Sequence, residues 1–342
     1  MGILGYIASI DKSRKFYYNE TPETAENMAK RKNIIIGSRG SRLALTQAEM
    51  VLSKLQAQYP RLKVKIKKIK TKGDKIKSAI LLRKAGKGLF VKELERALLK
   101  GKIDIAVHSM KDVPTDLPTG LTIGTILERE NPQDAFIGRN NIPFEKLPAG
   151  TKIGTSSLRR QSQLLAQYKS LIIKDLRGNI DTRIRKVRNA RKGLGGIILA
   201  AAGIKRLYPS NEINFELLPV NVIVPAPAQG AICLETRSDD DRTTKIISFL
   251  HHAPTATTVT AERQLLAKLE GGCQIPLGVY GELQGDGLLK LTAVLALPDG
   301  SKSIKDSTIG SADSPKEVAN ALYTTLCNKG ARELLAKLNK KR

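Results

Sequence analysis

The sequence predicts an α/β protein of two doubly wound sheet-and-helix lobes joined by two crossings, followed by a smaller α+β unit. Three observations predict it. A β-branched strand (NIIIG from Asn33), a polar loop (SRGS) and a helix with Leu43, Ala44, Ala48, Val51, Leu52 and Leu55 at helical spacing occur in that order, and the order returns from Lys152 as KIG, TSS and a second helix. The stretches around Pro132 and VIVPAPAQGA are Pro/Gly-punctuated and suit an outward and a return crossing. Beyond Asp240 the pattern changes to helices first and strands afterwards, with turns at GDG and PDG.

Residues 1 to 32 read as an extension: MGILGYIAS is too short and lacks the basic flank of a signal peptide. The acids Asp11, Glu20, Glu23 and Glu26 argue against a transit peptide, so a cytoplasmic location is expected. In the first unit, the strand–loop–helix junction turns free backbone N–H groups and a positive dipole end toward Arg39 and Ser41, which suits a carboxylate or phosphate. The helix stops before Pro60, and a Lys-studded strand follows from Val64 to Lys70. RKAGKG, from Arg83 to Gly88, is either a mobile basic segment or a solvated loop. Helix Val91 to Lys100 leads into strand Ile103 to Val107, which ends in HSMKDVP. Ligands sit at the carboxyl ends of strands in such sheets, making Lys111 and Asp112 candidates for anion binding and charge-stabilising work; a surface ion pair is the alternative. Strand Leu121 to Ile126 then runs into LERENPQDAF.

In the second unit, helix Leu158 to Tyr168 carries Arg159 and Arg160 in its first turn. Cations there oppose the helix dipole, a cost that makes sense if an anion lies between them. Strand LIIKDL leads to Arg177, and the helix after it carries Arg183, Arg185 and Arg188. Arg185 and Arg188 suit a solvated face, whereas Arg159, Arg160, Arg177 and Arg183 gather at strand ends and helix starts, where bidentate grips on carboxylates converge. GGIILA and AGIKRL close the unit.

After the return crossing come helices Asp240 to His251 and Thr255 to Leu269, then LEGGCQIPLG. Cys273 stands on a loop past a glycine-ended helix, either offered for chemistry or packed as a small hydrophobe. Strands are expected over 279–283, 289–296 and 303–309, and Ser314, Pro315 and Glu317 form a capping-box pattern for a last helix, interrupted near Gly330.

The 58 Lys and Arg against 32 Asp and Glu leave a net charge of +26, which implies an anionic partner. With 4% aromatic residues and no Trp, the chain is poorly equipped to stack on bases, and nucleic acid is not the first choice. No apolar run is long enough to span a bilayer. Three cysteines and three histidines have neither disulfide-framework nor zinc spacing, so no metal site is expected.

In order, GKGLFVKELE, DIAVHSMKDVP, GTSSLRRQ, LRGN with TR, PAPAQGA and LEGGCQIPLG closely resemble the motifs of the porphobilinogen deaminase (hydroxymethylbilane synthase) family over residues 33 to 340. The resemblance implies lobes like those of periplasmic binding proteins, with units at 33–130 plus 226–246, 131–225 and 247–342. It implies a dipyrromethane cofactor held by a thioether at Cys273, onto which four porphobilinogen units are deaminated and joined head to tail. By position, Asp112 is the catalytic carboxylate. Arg39, Ser41, Lys87, Lys111, Ser156, Ser157, Arg159, Arg160, Arg177 and Arg183 are contacts to cofactor or substrate side chains. A monomer is expected, with neither nucleic acid nor membrane as partner. Three departures stand out: Ala228 where the family usually has glycine, Arg42 where Pro or a smaller residue is common, and Arg83 where lysine is frequent. A solute-binding module would explain the cleft but not the cysteine loop, and a nucleic-acid binder would explain only the charge. Arg159→Leu and Arg177→Leu are each expected to abolish or greatly slow turnover with the fold intact.

Overall fold

The computed structural model describes residues 33–71, 88, 91–269 and 275–340. Cys273, Lys87 and the 1–32 extension lie outside the described residues. The first lobe opens with β1 (Asn33–Arg39), α1 (Arg42–Gln58) and β2 (Lys63–Ile69), and continues through α2 (Lys92–Leu99), β3 (Ile105–Ser109) and β4 (Leu121–Ile126). Strand β1 pairs in parallel with β2 and β3. Val64 and Ile66 of β2 pack with Val51 and Leu55 of α1, which leaves the alternate lysines of this edge strand in solvent, where charge discourages edge-to-edge pairing.

The second lobe contains β5 (Asp134–Gly138), β6 (Lys152–Gly154), α3 (Leu158–Gln167), β7 (Ile172–Lys174), α4 (Ile180–Arg188), β8 (Gly196–Ala200), α5 (Ala201–Leu207) and β9 (Glu216–Leu217). The chain then returns to the first sheet as β10 (Ile232–Arg237). The sheet orders, β2-β1-β3-β10-β4 and β7-β6-β8-β5-β9, follow one plan. In each, a single antiparallel strand lies among parallel ones, and it is the strand that a crossing delivers: β5 into the second sheet, β10 back into the first. Sequence reading treated both stretches as crossings only, because the Pro and Gly signals beside them masked short apolar runs such as Ala135–Ile137.

Next come α6 (Asp241–Ile247), α7 (Ala253–Lys268), the antiparallel meander β11 (Leu277–Gln284), β12 (Leu288–Ala296) and β13 (Ser303–Ser311), then α8 (Pro315–Asn328) and α9 (Ala331–Lys340). The third core joins Leu265 of α7 and Leu269 at its C-cap to Leu289 and Leu291 of β12, Leu322 of α8 and Leu334 of α9. Two expectations are corrected here. The helix expected unbroken from Asp240 to His251 ends at Ile247, and its Ile246 and Ile247 pack with the core of the first sheet. Ser314 makes no side-chain capping bond; its backbone carbonyl accepts from Glu317 and Val318 at 3.0 and 3.2 Å.

One buried carboxylate ties both crossings to α7 and β11. Glu262 accepts from the Arg129 fork at 2.7 and 3.1 Å, from the Ala228 N–H at 2.6 Å and from the Gly281 N–H at 2.8 Å. Arg129 also donates to the Gln229 carbonyl at 2.7 Å. Ala228 has φ +59°, a left-handed backbone that costs an L-residue about 1–2 kcal/mol, so the departure from glycine falls at a strained position. Burial of its methyl beside Met110, Val113 and Cys233, together with the bond to Glu262, offsets that strain. Two residues on, only glycine fits: at Gly230 (φ +93°) a Cβ would stand 2.2 Å from the Glu130 carbonyl oxygen.

Candidate active site

The site starts where β3 ends. Met110 to Asp112 form one turn of 3-10 helix, pinned by the Met110 N–H on the Ala231 carbonyl at 3.0 Å and by the burial of Met110 and Val113. Pinning both flanks leaves the Asp112 side chain turned out, exposed, into a pocket lined also by Arg39, Ser41, Gln47, His108 and Ser109. Ser41 caps α1 by accepting from the Ala44 N–H at 3.3 Å. Beneath the turn, buried His108 pairs with Glu235 of β10 at 3.0 Å. Behind it, Arg263 of α7, the helix that precedes Cys273 in sequence, donates to the carbonyls of Val113 and Pro114 at 2.8 and 2.6 Å. An arginine fork on two successive carbonyls holds the backbone that follows Asp112.

Lys111 opens a polar chain that crosses from lobe to lobe. Its ammonium donates to Gln229 at 3.3 Å, and buried Gln229 donates in turn to the Pro132 carbonyl at 2.7 Å and to Asp134 at 3.1 Å. Asp134 then receives Arg159 at 2.6 and 3.1 Å and Arg160 at 2.7 and 2.9 Å. The anion expected between these two arginines is thus a carboxylate of the protein itself. Both guanidiniums are almost fully buried and also donate to backbone, Arg159 to Val224 at 2.8 Å and Arg160 to Ile198 at 2.9 Å. Burial opposes ionisation of Asp134, but the two guanidiniums overcome it and hold the carboxyl well below the usual range. Burial also pulls the Lys111 ammonium down to about 8, against the attraction of Asp112.

On the far wall Ser157 caps α3, accepting from the Arg160 N–H at 3.5 Å, and Ser156 donates to the Leu176 carbonyl at 2.5 Å. Arg177 pairs with Asp175 at 2.9 Å and keeps partial exposure. Arg183 donates to the Gly178 carbonyl at 2.8 Å; burial, and then the charges of Arg160 and Arg177, bring it down to about 10. Arg183 thus feels the charges of Arg160 and Arg177, as Lys111 feels those of Asp112, Arg160 and Arg159.

Residues 34–245 match the family described as porphobilinogen deaminase, dipyromethane cofactor binding domain, and 256–328 match its C-terminal domain. The chain belongs to the porphobilinogen deaminase family. It is 49% identical to porphobilinogen deaminase of Geobacter sulfurreducens over 89% of this chain and 94% of that one. It is 47% identical to porphobilinogen deaminase of Oceanobacillus iheyensis over 89% and 97%. Among solved structures, the methionine binding protein MetQ covers 68% of this chain and 93% of its own at 13% identity and a TM-score of 0.41, a likeness too distant to carry weight.

The family's matched domain is described as binding a dipyromethane cofactor, and the residues present fit an anionic group: among the described residues, Lys111, Arg159, Arg160, Arg177 and Arg183 outnumber Asp112, Asp134 and Asp175 beside them. Cys233 does not compete for attachment, because full burial pushes its thiol up to about 12. Sequence reasoning missed Asp134, Gln229, Arg263 and the Glu235 partner of His108. Asp134 and Arg263 stand alone in QDAF and in AERQ, with no spacing that marks their partners.

Proposed function

We propose that this chain deaminates porphobilinogen and joins four units head to tail on a dipyrromethane bound through Cys273, with loss of one ammonia per unit, and that water then cleaves the four-unit linear bilane from the retained dipyrromethane. The observation that carries the reading is an exposed Asp112 carboxylate in a pocket shared with Arg39 and Ser41, next to Lys111, whose hydrogen-bonded chain reaches Arg159 and Arg160 of the other lobe. The bound dipyrrole supplies the pyrrole carbon to which the first unit joins; the protein supplies charge and orientation. Loss of ammonia from an aminomethylpyrrole leaves positive charge delocalised onto the ring nitrogen, and Asp112 offsets it while accepting the pyrrole N–H. Each unit brings an acetate and a propionate, which Arg39, Ser41, Lys111, Ser156, Ser157, Arg177 and Arg183 receive. Arg159 and Arg160, bound to Asp134, add field and their remaining donors. Lys87 belongs to the same set by position. The enzyme works as a cytoplasmic monomer of three units, with boundaries near 130, 225 and 246.

The test is stoichiometry with a pH profile. Purified protein is expected to release four ammonia per bilane formed. A lysine held near 8 is charged below that pH and loses its grip on a carboxylate as pH rises through it, so kcat/KM is expected to fall above about pH 8. Lys111→Arg stays charged and should flatten that limb. The same limb in both proteins would remove Lys111 from the site, and no consumption of porphobilinogen would end the reading.

A further inference from the structure

Arg42 stands at the first position of α1, where a cation opposes the helix dipole. Its partners lie across the cleft. Nη1 donates to Asp181 in the first turn of α4 at 2.6 Å, and Nη2 donates to the Leu207 carbonyl at the end of α5 at 3.2 Å. The guanidinium also lies 4.9 Å from the centre of the Tyr208 ring, and the Tyr208 hydroxyl bonds to the same Asp181 carboxylate. Beside this bridge the lobes are in contact: a Cβ on Gly203 of α5 would stand 3.7 Å from Leu43 of α1. Arg42 directly follows Ser41, three residues past Arg39 at the end of β1, and Asp181 lies between Arg177 and Arg183 in sequence.

We infer that Arg42 is a positioning residue, a strut that sets the distance between the anion-holding groups of the two lobes and so the affinity for porphobilinogen. The inference rests on the reading that Arg39 and Ser41 on one lobe and Arg177 and Arg183 on the other receive substrate carboxylates. A single acetate–propionate pair can be gripped from both walls only while the walls keep their spacing. The bridge is solvent-facing, with side chains 52% and 30% exposed, so its effect is modest and screened by salt.

Steady-state kinetics on the cofactor-loaded enzyme test it. Arg42→Ala is expected to raise KM about three- to fivefold with kcat within about twofold of the parent, the range open to one exposed ion pair. Asp181→Asn should do the same, the double variant should be no worse than either single one, and Arg42→Lys should recover part of the loss. The ratio of variant to parent KM should fall toward one in about 1 M NaCl, where a Debye length of about 3 Å weakens a solvent-facing ion pair. An unchanged KM in Arg42→Ala, or additive effects in the double variant, overturns the strut. Arg177→Leu run alongside separates the two failures: if it too leaves kinetics untouched, the carboxylate reading falls first and the strut with it.

Discussion

Asp112→Asn is expected to lower turnover of porphobilinogen by about 10² to 10⁴, the scale for losing a positioned acid/base or electrostatic group, with a much smaller change in KM. The amide keeps the shape and one acceptor oxygen, so it can still meet a pyrrole N–H; it cannot offset the positive charge that appears as ammonia leaves. The turn stays in place, because what holds it is the Met110 bond to Ala231 and the Arg263 fork on Val113 and Pro114, none of which touches the carboxylate. Asp112→Glu keeps the charge one methylene out of place and should retain more activity than the amide. Turnover of Asp112→Asn within about threefold of the parent would reduce Asp112 to a surface partner of Lys111.

Arg159→Leu and Arg177→Leu should both cost turnover, but only the first should cost the fold. Removing Arg159 strips the fully buried Asp134 of one of its two guanidiniums and leaves the Val224 carbonyl without that donor. Breaking a buried ion pair from one side costs about 3–5 kcal/mol. Leucine at 177 breaks an exposed pair with Asp175, worth about 0–1 kcal/mol. In urea, Arg159→Leu should therefore unfold at a clearly lower midpoint, Arg177→Leu should unfold with the parent, and both should be slow; Arg188→Leu, on α4, is the control for turnover. Equal midpoints for the two variants would mean that Asp134 does not depend on Arg159.

These two arginines mark the limit of what the sequence carries. The strand–loop–helix repeats are local, and they led to both lobes and to the strand end that bears Asp112, whereas the capping roles of Ser41 and Ser157 appear only in the fold. Asp134 pairs with an arginine 25 positions away, and Arg129 with Glu262 at 133 positions; no periodicity links such residues before the chain folds. The antiparallel strands β5 and β10 were hidden for a related reason, since each follows a crossing whose Pro and Gly residues read as loop. Ala228 ran the other way: its departure from glycine flagged a backbone angle that the fold then has at +59°.

The central claim is that a dipyrrole is carried through Cys273, and intact mass of the denatured protein addresses it most directly. Freshly purified, active protein should be heavier than its sequence by one covalent dipyrrole, and Cys273→Ser should have its bare sequence mass. An active parent that weighs no more than its 342 residues would contradict the account.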